Sequence, residues 1–233
     1  ELTIGRARAL LAARRVPEAW AAAREAAALA REIASGEQLA RAALQQLPLD
    51  EVRFIPAAQP WQKGPITAAE HRARMVQLAI AGEPRFALDM HEIERGGITY
   101  TIDTVHALRL QLPDCPLVLI MGSDQFARFD TWRSWKEIVE TAHIAVAQRA
   151  GTSLQQSPDL QAVVAARRGE GASLATRAGG SIVEFAMTPI DVSATEVRHL
   201  LREPPSTERG QRLSAMVPAV VLDYIDSNHL YRA

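Results

Sequence analysis

Short apolar runs alternate with amphipathic segments along this chain, and one run stands out. Leu117–Met121 is wholly apolar, and Gly122, Ser123 and Asp124 follow it at once. A continuous apolar run with turn residues behind it is typical of a strand that is buried on both faces. In an open α/β sheet, ligands bind at the loop that leaves the carboxyl end of such a strand. We therefore expect a ligand site at Gly122 and Asp124. A glycine turn followed by an aspartate helix cap is the alternative interpretation.

Further apolar or alternating segments predict a sheet whose strands are connected by helices. The predicted strands are Glu51–Pro56, Arg85–Met90, Leu117–Met121, His143–Ala147 and Ser181–Phe185. The predicted helices are Gln38–Leu47, Thr67–Ile80, a segment ending near Gln111, Ser134–Thr141, the end of Thr188–Leu201, and Val217–Ile225. Pro204–Arg212 is predicted to be a polar loop. Strands that alternate with helices predict an α/β fold with a doubly wound parallel sheet.

The first 36 residues differ in composition from the rest of the chain and are rich in alanine and arginine. Glu18–Ile33 consists mainly of strong helix formers. Apolar pairs four residues apart, such as Leu29 and Ile33, would let one face of a helix pack. The sequence therefore predicts an atypical helical N-terminal segment of unknown role over residues 1–36, followed by an α/β domain over residues 37–233.

Composition narrows the class of protein. The 233 residues are 48% hydrophobic and 23% charged, which is ordinary for a globular protein. A formal net charge of −1 predicts no general attraction to nucleic acid or to an anionic membrane. No apolar run approaches the roughly 20 residues of a membrane span, and the first residues lack a signal-peptide pattern. Because Cys115 is the single cysteine, no internal disulfide or cysteine zinc site is expected. We expect a cytoplasmic enzyme or binding protein of undetermined oligomeric state.

Seven stretches of the sequence, in order from about Gln38, carry a family resemblance. They are LDEVRFIPAAQPWQKGP, AEHRARMVQLAIAG, IERGGITYTIDT, LVLIMGSDQFARFDTW, HIAVAQRAG, IDVSATEVRHLL and DYIDSNHLYR. Together they resemble the bacterial nicotinate-nucleotide adenylyltransferase family. The resemblance implies a Rossmann-like nucleotidyltransferase fold. It also implies transfer of an adenylyl group from ATP, with Mg²⁺, to nicotinate mononucleotide, giving deamido-NAD and pyrophosphate in NAD synthesis.

The resemblance also implies residues for the acceptor nucleotide. In this family the Y-T-x-x-T segment holds the nicotinate base, which assigns Tyr100, Thr101 and Thr104 to it. The aromatic residue of the T-W pair stacks on the pyridine ring, and here it is Trp132; an indole can cover a flat ring at low entropic cost. Lys63 resembles a basic loop residue that meets phosphate. The alternatives are a core aromatic at Trp132 and a solvated lysine at Lys63.

For the adenylyl donor, the resemblance implies a second set of residues. The G-x-D element corresponds to Gly122 and Asp124, near the nucleotide ribose. The S-A-T-E-V-R segment resembles a phosphate site, in which Ser193 and Thr195 offer hydroxyls and backbone N–H groups at a helix N-terminus. Arg198 would add a fixed cation. A serine cap with a surface arginine is the alternative interpretation of this segment.

One motif of the family is missing from this sequence. The family's first strand leads into G-G-T-F-D-P-x-H-x-G-H, whose glycines and histidines bind the triphosphate and stabilise the charge on the leaving pyrophosphate. No histidine precedes His71, and none of the six has this spacing. We expect each histidine to be structural or solvated and no catalytic residue to be identifiable. Either residues 1–36 supply the central strand in a form that the sequence does not reveal, or the chain is an altered variant that lacks it. Two hypotheses remain: an active adenylyltransferase, and a relative that binds the nicotinate nucleotide without turnover.

Overall fold

Parallel strands form one sheet within the part of the chain that the computed structural model describes, namely residues 7–11, 36–58, 68–149, 156–187, 200 and 206–230. In chain order the strands are β1 (Ala7–Leu11), β2 (Leu49–Phe54), β3 (Phe86–Leu88), β4 (Leu117–Gly122), β5 (His143–Arg149) and β6 (Ile182–Met187). Their order across the sheet is β3-β2-β1-β4-β5-β6, and every neighbouring pair is parallel. The predicted doubly wound parallel sheet is therefore confirmed.

Helices connect the strands, as parallel pairing requires. The described helices are α1 (residues 36–46), α2 (Ala69–Ile80), α3 (His91–Arg95), α4 (Thr101–Gln111), α5 (Ser123–Phe126), α6 (Trp135–Thr141), α7 (Pro158–Arg167), α8 (Thr207–Met216) and α9 (Ala219–Ser227). Helix α1 contributes Ala43 and Leu44 to one hydrophobic cluster of the sheet. Helices α4 and α6 contribute Val105, Leu108 and Ile138 to a second cluster.

Strand β4 separates these two clusters because its side chains alternate between them. Val118 and Ile120 belong to the cluster that contains α1. Leu117, Leu119 and Met121 belong to the cluster that contains α4 and α6. All five are at most 1% exposed. This burial explains why an uninterrupted apolar run predicted the strand correctly.

The central strand β1 corrects the interpretation of the N-terminal segment. Ala7–Leu11 pairs with both neighbours, so that Leu10 lies opposite Arg53 of β2 and Leu119 of β4. These residues are extended, not helical, and they supply the central strand, which decides between the two alternatives in favour of the N-terminal segment. Without them, β2 and β4 would each leave backbone N–H and C=O groups unpaired inside the sheet, and pairing these groups outweighs the local preference of Ala-Arg-Ala-Leu-Leu for helix.

The remainder of the N-terminal segment stays a prediction. Residues 1–6 and 12–35, including the expected helix Glu18–Ile33, lie outside the described residues. The proposed division of the chain at residue 36 is therefore also still a prediction, although Ala7–Leu11 belongs to the same sheet as the strands that follow.

A third hydrophobic cluster joins α2 to the last two helices. It contains Met75 of α2, Leu213 of α8 and Val221 of α9, all buried. The prediction of a polar loop over Pro204–Arg212 is wrong, because α8 begins at Thr207. Its buried apolar side chain Leu213 lies beyond the predicted loop, so the polar stretch showed no apolar period.

The strand order places a topological switch point between β1 and β4. The chain moves outward from β1 to β3 and then returns to continue from β4 to β6. In doubly wound sheets, the crevice at the carboxyl ends of the two central strands is where nucleotides and other ligands bind. The described helices include none that is long and apolar enough to cross a membrane.

Candidate functional site

The carboxyl end of β4 lies at this switch point and offers open space beside polar groups. Gly122 is the last residue of β4, and a Cβ atom added to it would meet nothing within 4 Å. The next residue, Ser123, is buried, and its hydroxyl has no hydrogen-bond partner among the described residues. Asp124 is exposed. Gly122 is itself the N-cap of α5, and Asp124 lies within the helix, so the alternative of an aspartate cap is wrong.

An aromatic cluster continues from α5. The Phe126 and Phe129 rings are stacked with centroids 5.9 Å apart. Phe129 is fully buried and meets Trp132 edge-on at 5.4 Å and Trp135 at 6.0 Å. Trp132 is only half-buried. Part of its indole therefore packs on the core through Phe129.

A tight glycine turn sets the position of the Y-T-x-x-T segment. Gly96 and Gly97 have φ angles of 69° and 70°, which glycine adopts without steric cost. The N–H of Gly96 donates to the carbonyl oxygens of the preceding helix α3. Tyr100 then becomes the N-cap of α4, and its N–H donates to the Asp103 carboxylate at 3.3 Å. The turn thus delivers Tyr100 to the start of α4.

The three predicted base-binding residues have different environments. Tyr100 is half-buried, and Thr101 is 4% exposed with a hydroxyl that has no partner among the described residues. The Thr104 hydroxyl instead donates to the buried Glu92 carboxylate at 2.5 Å. The Thr101 hydroxyl is therefore buried without a partner among the described residues, whereas the Thr104 hydroxyl is hydrogen-bonded in the interior. Sequence reasoning missed Glu92, and its only signal was an acid just before IERGG.

Arg133 links the two aromatic parts of the site. Its guanidinium carbon lies 4.7 Å from the centroid of the Tyr100 ring, within the range of a cation–π contact. Arg133 directly follows Trp132 in sequence. The site thus forms one series of contacts from α5 through Phe129 and Trp132 to Tyr100. Sequence reasoning missed Arg133 as well, because the contact joins segments that are far apart in the chain.

A charged cluster lies at the carboxyl end of the edge strand β3. Asp89 accepts hydrogen bonds from the N–H and the Nδ1 of His91, at 3.1 and 2.7 Å, and pairs with Arg53 at 3.4 Å. Burial alone would raise the pKa of Asp89. The hydrogen bonds from His91 and the charge of Arg53 outweigh that effect and lower the pKa of the carboxyl group below its usual value. Asp89 therefore stays ionised and holds the start of α3.

A buried arginine fixes the chain after β2. Arg72 on α2 is 9% exposed, and its Nη2 donates to the carbonyl oxygen of Ala58 at 2.9 Å. Ala58 is the last described residue before residues 59–67. Four predicted site residues, Lys63, Ser193, Thr195 and Arg198, lie outside the described residues. The described residues contain no group of three or more His, Cys, Asp or Glu side chains that could hold a metal ion.

Comparison with known sequences gives a consistent result. A family model described as cytidylyltransferase-like matches residues 38–200. The chain is 41% identical over 195 residues to the probable nicotinate-nucleotide adenylyltransferase of Bordetella avium. This match covers 83% of this chain and 89% of that protein. The corresponding protein of Bordetella petrii is 42% identical over 83% of this chain and 90% of its own length. That of Hydrogenovibrio crunogenus is 36% identical over 81% and 87%.

Solved structures share the fold at low sequence identity. The nicotinic acid mononucleotide adenylyltransferase of Plasmodium falciparum complexed with NaAD has a TM-score of 0.61 and 14% identity, and the match covers 85% of this chain and 90% of that one. The same enzyme complexed with APC has a TM-score of 0.62 and 13% identity, with 97% of each chain covered. The predicted Rossmann-like nucleotidyltransferase fold is therefore confirmed.

Proposed function

The chain belongs to the nicotinate-nucleotide adenylyltransferase family, and on this premise we propose that it transfers the adenylyl group of ATP to nicotinate mononucleotide. The products are deamido-NAD and pyrophosphate, and the reaction is a step of NAD biosynthesis. The observation that carries the proposal is the 41–42% identity to relatives of this name over 83% of the chain, with 89–90% of each relative covered. The strand order, with its switch point beside Gly122, supports it independently.

The reaction requires two nucleotides held in line. A phosphate oxygen of the acceptor attacks the α-phosphorus of ATP. A new phosphoanhydride bond forms while the bond from the α-phosphorus to the oxygen bridging to the β-phosphate breaks, and pyrophosphate leaves with the bonding electrons. Catalysis of such transfers depends mostly on positioning and on electrostatic stabilisation. The protein therefore has to align the two phosphates and neutralise the charge that develops on them.

For the acceptor, we assign the exposed part of the Trp132 indole to stacking on the pyridine ring. Its contact with Phe129 fixes the plane of the indole, so that little side-chain freedom is lost on binding. Tyr100 and the hydroxyl of Thr101, which has no partner among the described residues, are assigned to the edge of the base. Thr104 acts instead through Glu92, holding α4 in place.

For ATP, we assign Gly122 and Asp124 to the ribose. The open space at Gly122 allows close approach to the backbone, and the exposed Asp124 carboxylate can accept hydrogen bonds from two ribose hydroxyls. Ser193, Thr195 and Arg198 follow β6 in the chain. Residue 187 ends that strand at the same edge of the sheet as the carboxyl end of β4. Ser193, Thr195 and Arg198 are proposed to bind the triphosphate.

Lys63 and Mg²⁺ complete the proposal. Lys63 follows β2, and Arg72 anchors the chain at Ala58, five residues before it. Lys63 is proposed to contact the acceptor phosphate. ATP is proposed to enter as its magnesium complex, because Mg²⁺ is usually bound through phosphate oxygens and water with only one or two carboxylates.

The decisive experiment measures pyrophosphate release and deamido-NAD formation by the purified chain in the presence of Mg-ATP and nicotinate mononucleotide. We expect both products in equal amounts, and neither when one substrate is omitted. Binding of the mononucleotide in calorimetry without pyrophosphate release would contradict the proposed activity. That outcome would favour a nucleotide-binding relative without turnover, the hypothesis motivated by the missing H-x-G-H motif.

A further inference from the structure

We propose that Arg133 selects the acid form of the acceptor by binding the carboxylate of its pyridine ring. The inference rests on the proposed function for the identity of the acceptor. It assigns to Arg133 the discrimination between nicotinate mononucleotide and its neutral nicotinamide counterpart. The two nucleotides differ only in the group at this position of the ring, a carboxylate in one and an uncharged amide in the other.

The position of the guanidinium supports this assignment. Its carbon lies 4.7 Å from the centre of the Tyr100 ring, and Arg133 is exposed. Among the described residues, no carboxylate forms an ion pair with it. Stacking uses the flat face of a guanidinium and leaves its N–H groups at the edge free for an anion. Arg133 is therefore a cation already placed at the predicted acceptor pocket, with no counter-ion in the part of the chain that the structure describes.

The local backbone supports the same assignment because it holds Arg133 in this direction. The next residue, Ser134, has a φ of 51°, a left-handed conformation that is unusual for serine. The N–H of Trp135 donates to the carbonyl oxygen of Trp132 at 3.2 Å, which closes the turn around Arg133. Both tryptophans pack edge-on against the buried ring of Phe129. Strained conformations of this kind persist where the surroundings fix them, often at ligand sites.

The chemistry of the guanidinium also matches a carboxylate. A guanidinium presents parallel N–H donors that match the two oxygens of a carboxylate, and such charge-assisted pairs are stronger than neutral hydrogen bonds. An amide has only one acceptor oxygen and no charge, and its NH₂ group would face a cation. Trp132 directly precedes Arg133 in the chain, so a pyridine ring stacked on its indole would lie near Arg133. Arg133 therefore favours the acid over the amide.

Lys136 provides a matched control. It is a second exposed cation of the same segment, and its Nζ lies 5.4 Å from the centroid of the Trp135 ring. It thus also contacts an indole, but not Tyr100. Lys136→Gln removes the same charge from the neighbourhood of the site without changing the Arg133–Tyr100 contact. A general effect of net charge would appear equally in Arg133→Gln and Lys136→Gln.

The test measures calorimetric affinities of both mononucleotides for the wild type, Arg133→Gln, Arg133→Lys and Lys136→Gln, after thermal melting has shown that each variant is folded. We expect Arg133→Gln to weaken binding of the acid about tenfold and to leave the amide unchanged. Arg133→Lys should retain part of the preference, and Lys136→Gln should retain all of it.

Two results would overturn the inference. An equal loss for both nucleotides would mean that Arg133 binds the shared phosphate or supports the pocket generally. An unchanged preference for the acid in Arg133→Gln would place the selectivity elsewhere. Both readouts are binding affinities and do not depend on turnover, whereas the proposed function fails if the wild type releases no pyrophosphate. The two failures are therefore distinguishable.

Discussion

The hydroxyl of Thr104 donates to the carboxylate of Glu92, with 2.5 Å between Oγ1 and Oε1, and both side chains are buried. The bond ties α4 to α3 and so spans the glycine turn that carries Tyr100. Thr104, which family resemblance assigns to ligand binding, therefore fixes in this structure the segment that carries Tyr100.

Replacing Thr104 should test this structural role. Thr104→Val removes the donor to a buried carboxylate, and we expect a loss of about 1–3 kcal/mol in the free energy of unfolding. Thr104→Ser keeps the hydroxyl and should lose much less. Urea unfolding of both variants measures the difference. Equal stability of the valine variant and the wild type would show that the hydrogen bond contributes nothing net.

Trp132 should contribute directly to acceptor affinity. Trp132→Ala removes the accessible indole face, and we expect nicotinate mononucleotide to bind about 1–3 kcal/mol more weakly because stacking area and aromatic contact are lost. Trp132→Phe should recover part of this loss. Calorimetric titration measures both variants. Unchanged affinity in the alanine variant would show that the pocket lies elsewhere.

Local pattern predicted the elements whose surroundings are encoded in their own residues. Leu117–Met121 is apolar because both of its faces are buried, and the switch-point residues Gly122 and Asp124 follow it directly in sequence. The strand Ala7–Leu11 could not be predicted in this way. Its composition favours helix, and only pairing with β2 and β4 makes it a strand.

The residues of the candidate site likewise divide into those predicted from short motifs and those defined by contacts between distant segments. Tyr100 and Trp132 were predicted because each belongs to a short motif that is read within a few residues. Glu92 and Arg133 were missed because their partners, Thr104 and Tyr100, lie 12 and 33 residues away in sequence, and nothing in a single sequence records such side-chain contacts. Predicting them would require the packing of α3, α4 and α6 to be known first.

The glycine turn before Tyr100 should tolerate no side chain at Gly97. Its φ of 70° is unfavourable for alanine, and we expect Gly97→Ala to lower the free energy of unfolding by about 1–2 kcal/mol. Gly82→Ala is the control, because an added Cβ there meets nothing within 4 Å and the backbone is outside the left-handed region. That variant should be neutral or slightly stabilised. Equal unfolding midpoints for the two variants would contradict the prediction.

His143 is a buried structural histidine at the opposite end of β5 from the site. Its Nε2 donates to the carbonyl oxygen of Arg177 at 2.9 Å, and its Nδ1 accepts from the N–H of Ser181 at 3.1 Å. This pair of bonds requires the neutral imidazole, since a protonated ring could not accept from Ser181. Burial lowers the pKa of His143 most, and the nearby charges of Arg109 and Arg177 lower it further.

Stability should therefore fall as the pH decreases through the ordinary histidine pKa of about 6.5. Below this pH the unfolded chain takes up a proton at His143 and the folded chain does not, so protonation favours unfolding. The contribution of the neutral ring is fully present above pH about 6.5 and is lost on acidification. Urea unfolding of the wild type and His143→Gln at several pH values between about 5 and 8 measures it, because glutamine can donate and accept hydrogen bonds without titrating in this range. We expect the wild type to lose more stability than the variant between neutral and acidic pH. Parallel pH dependences would show that His143 does not carry the effect.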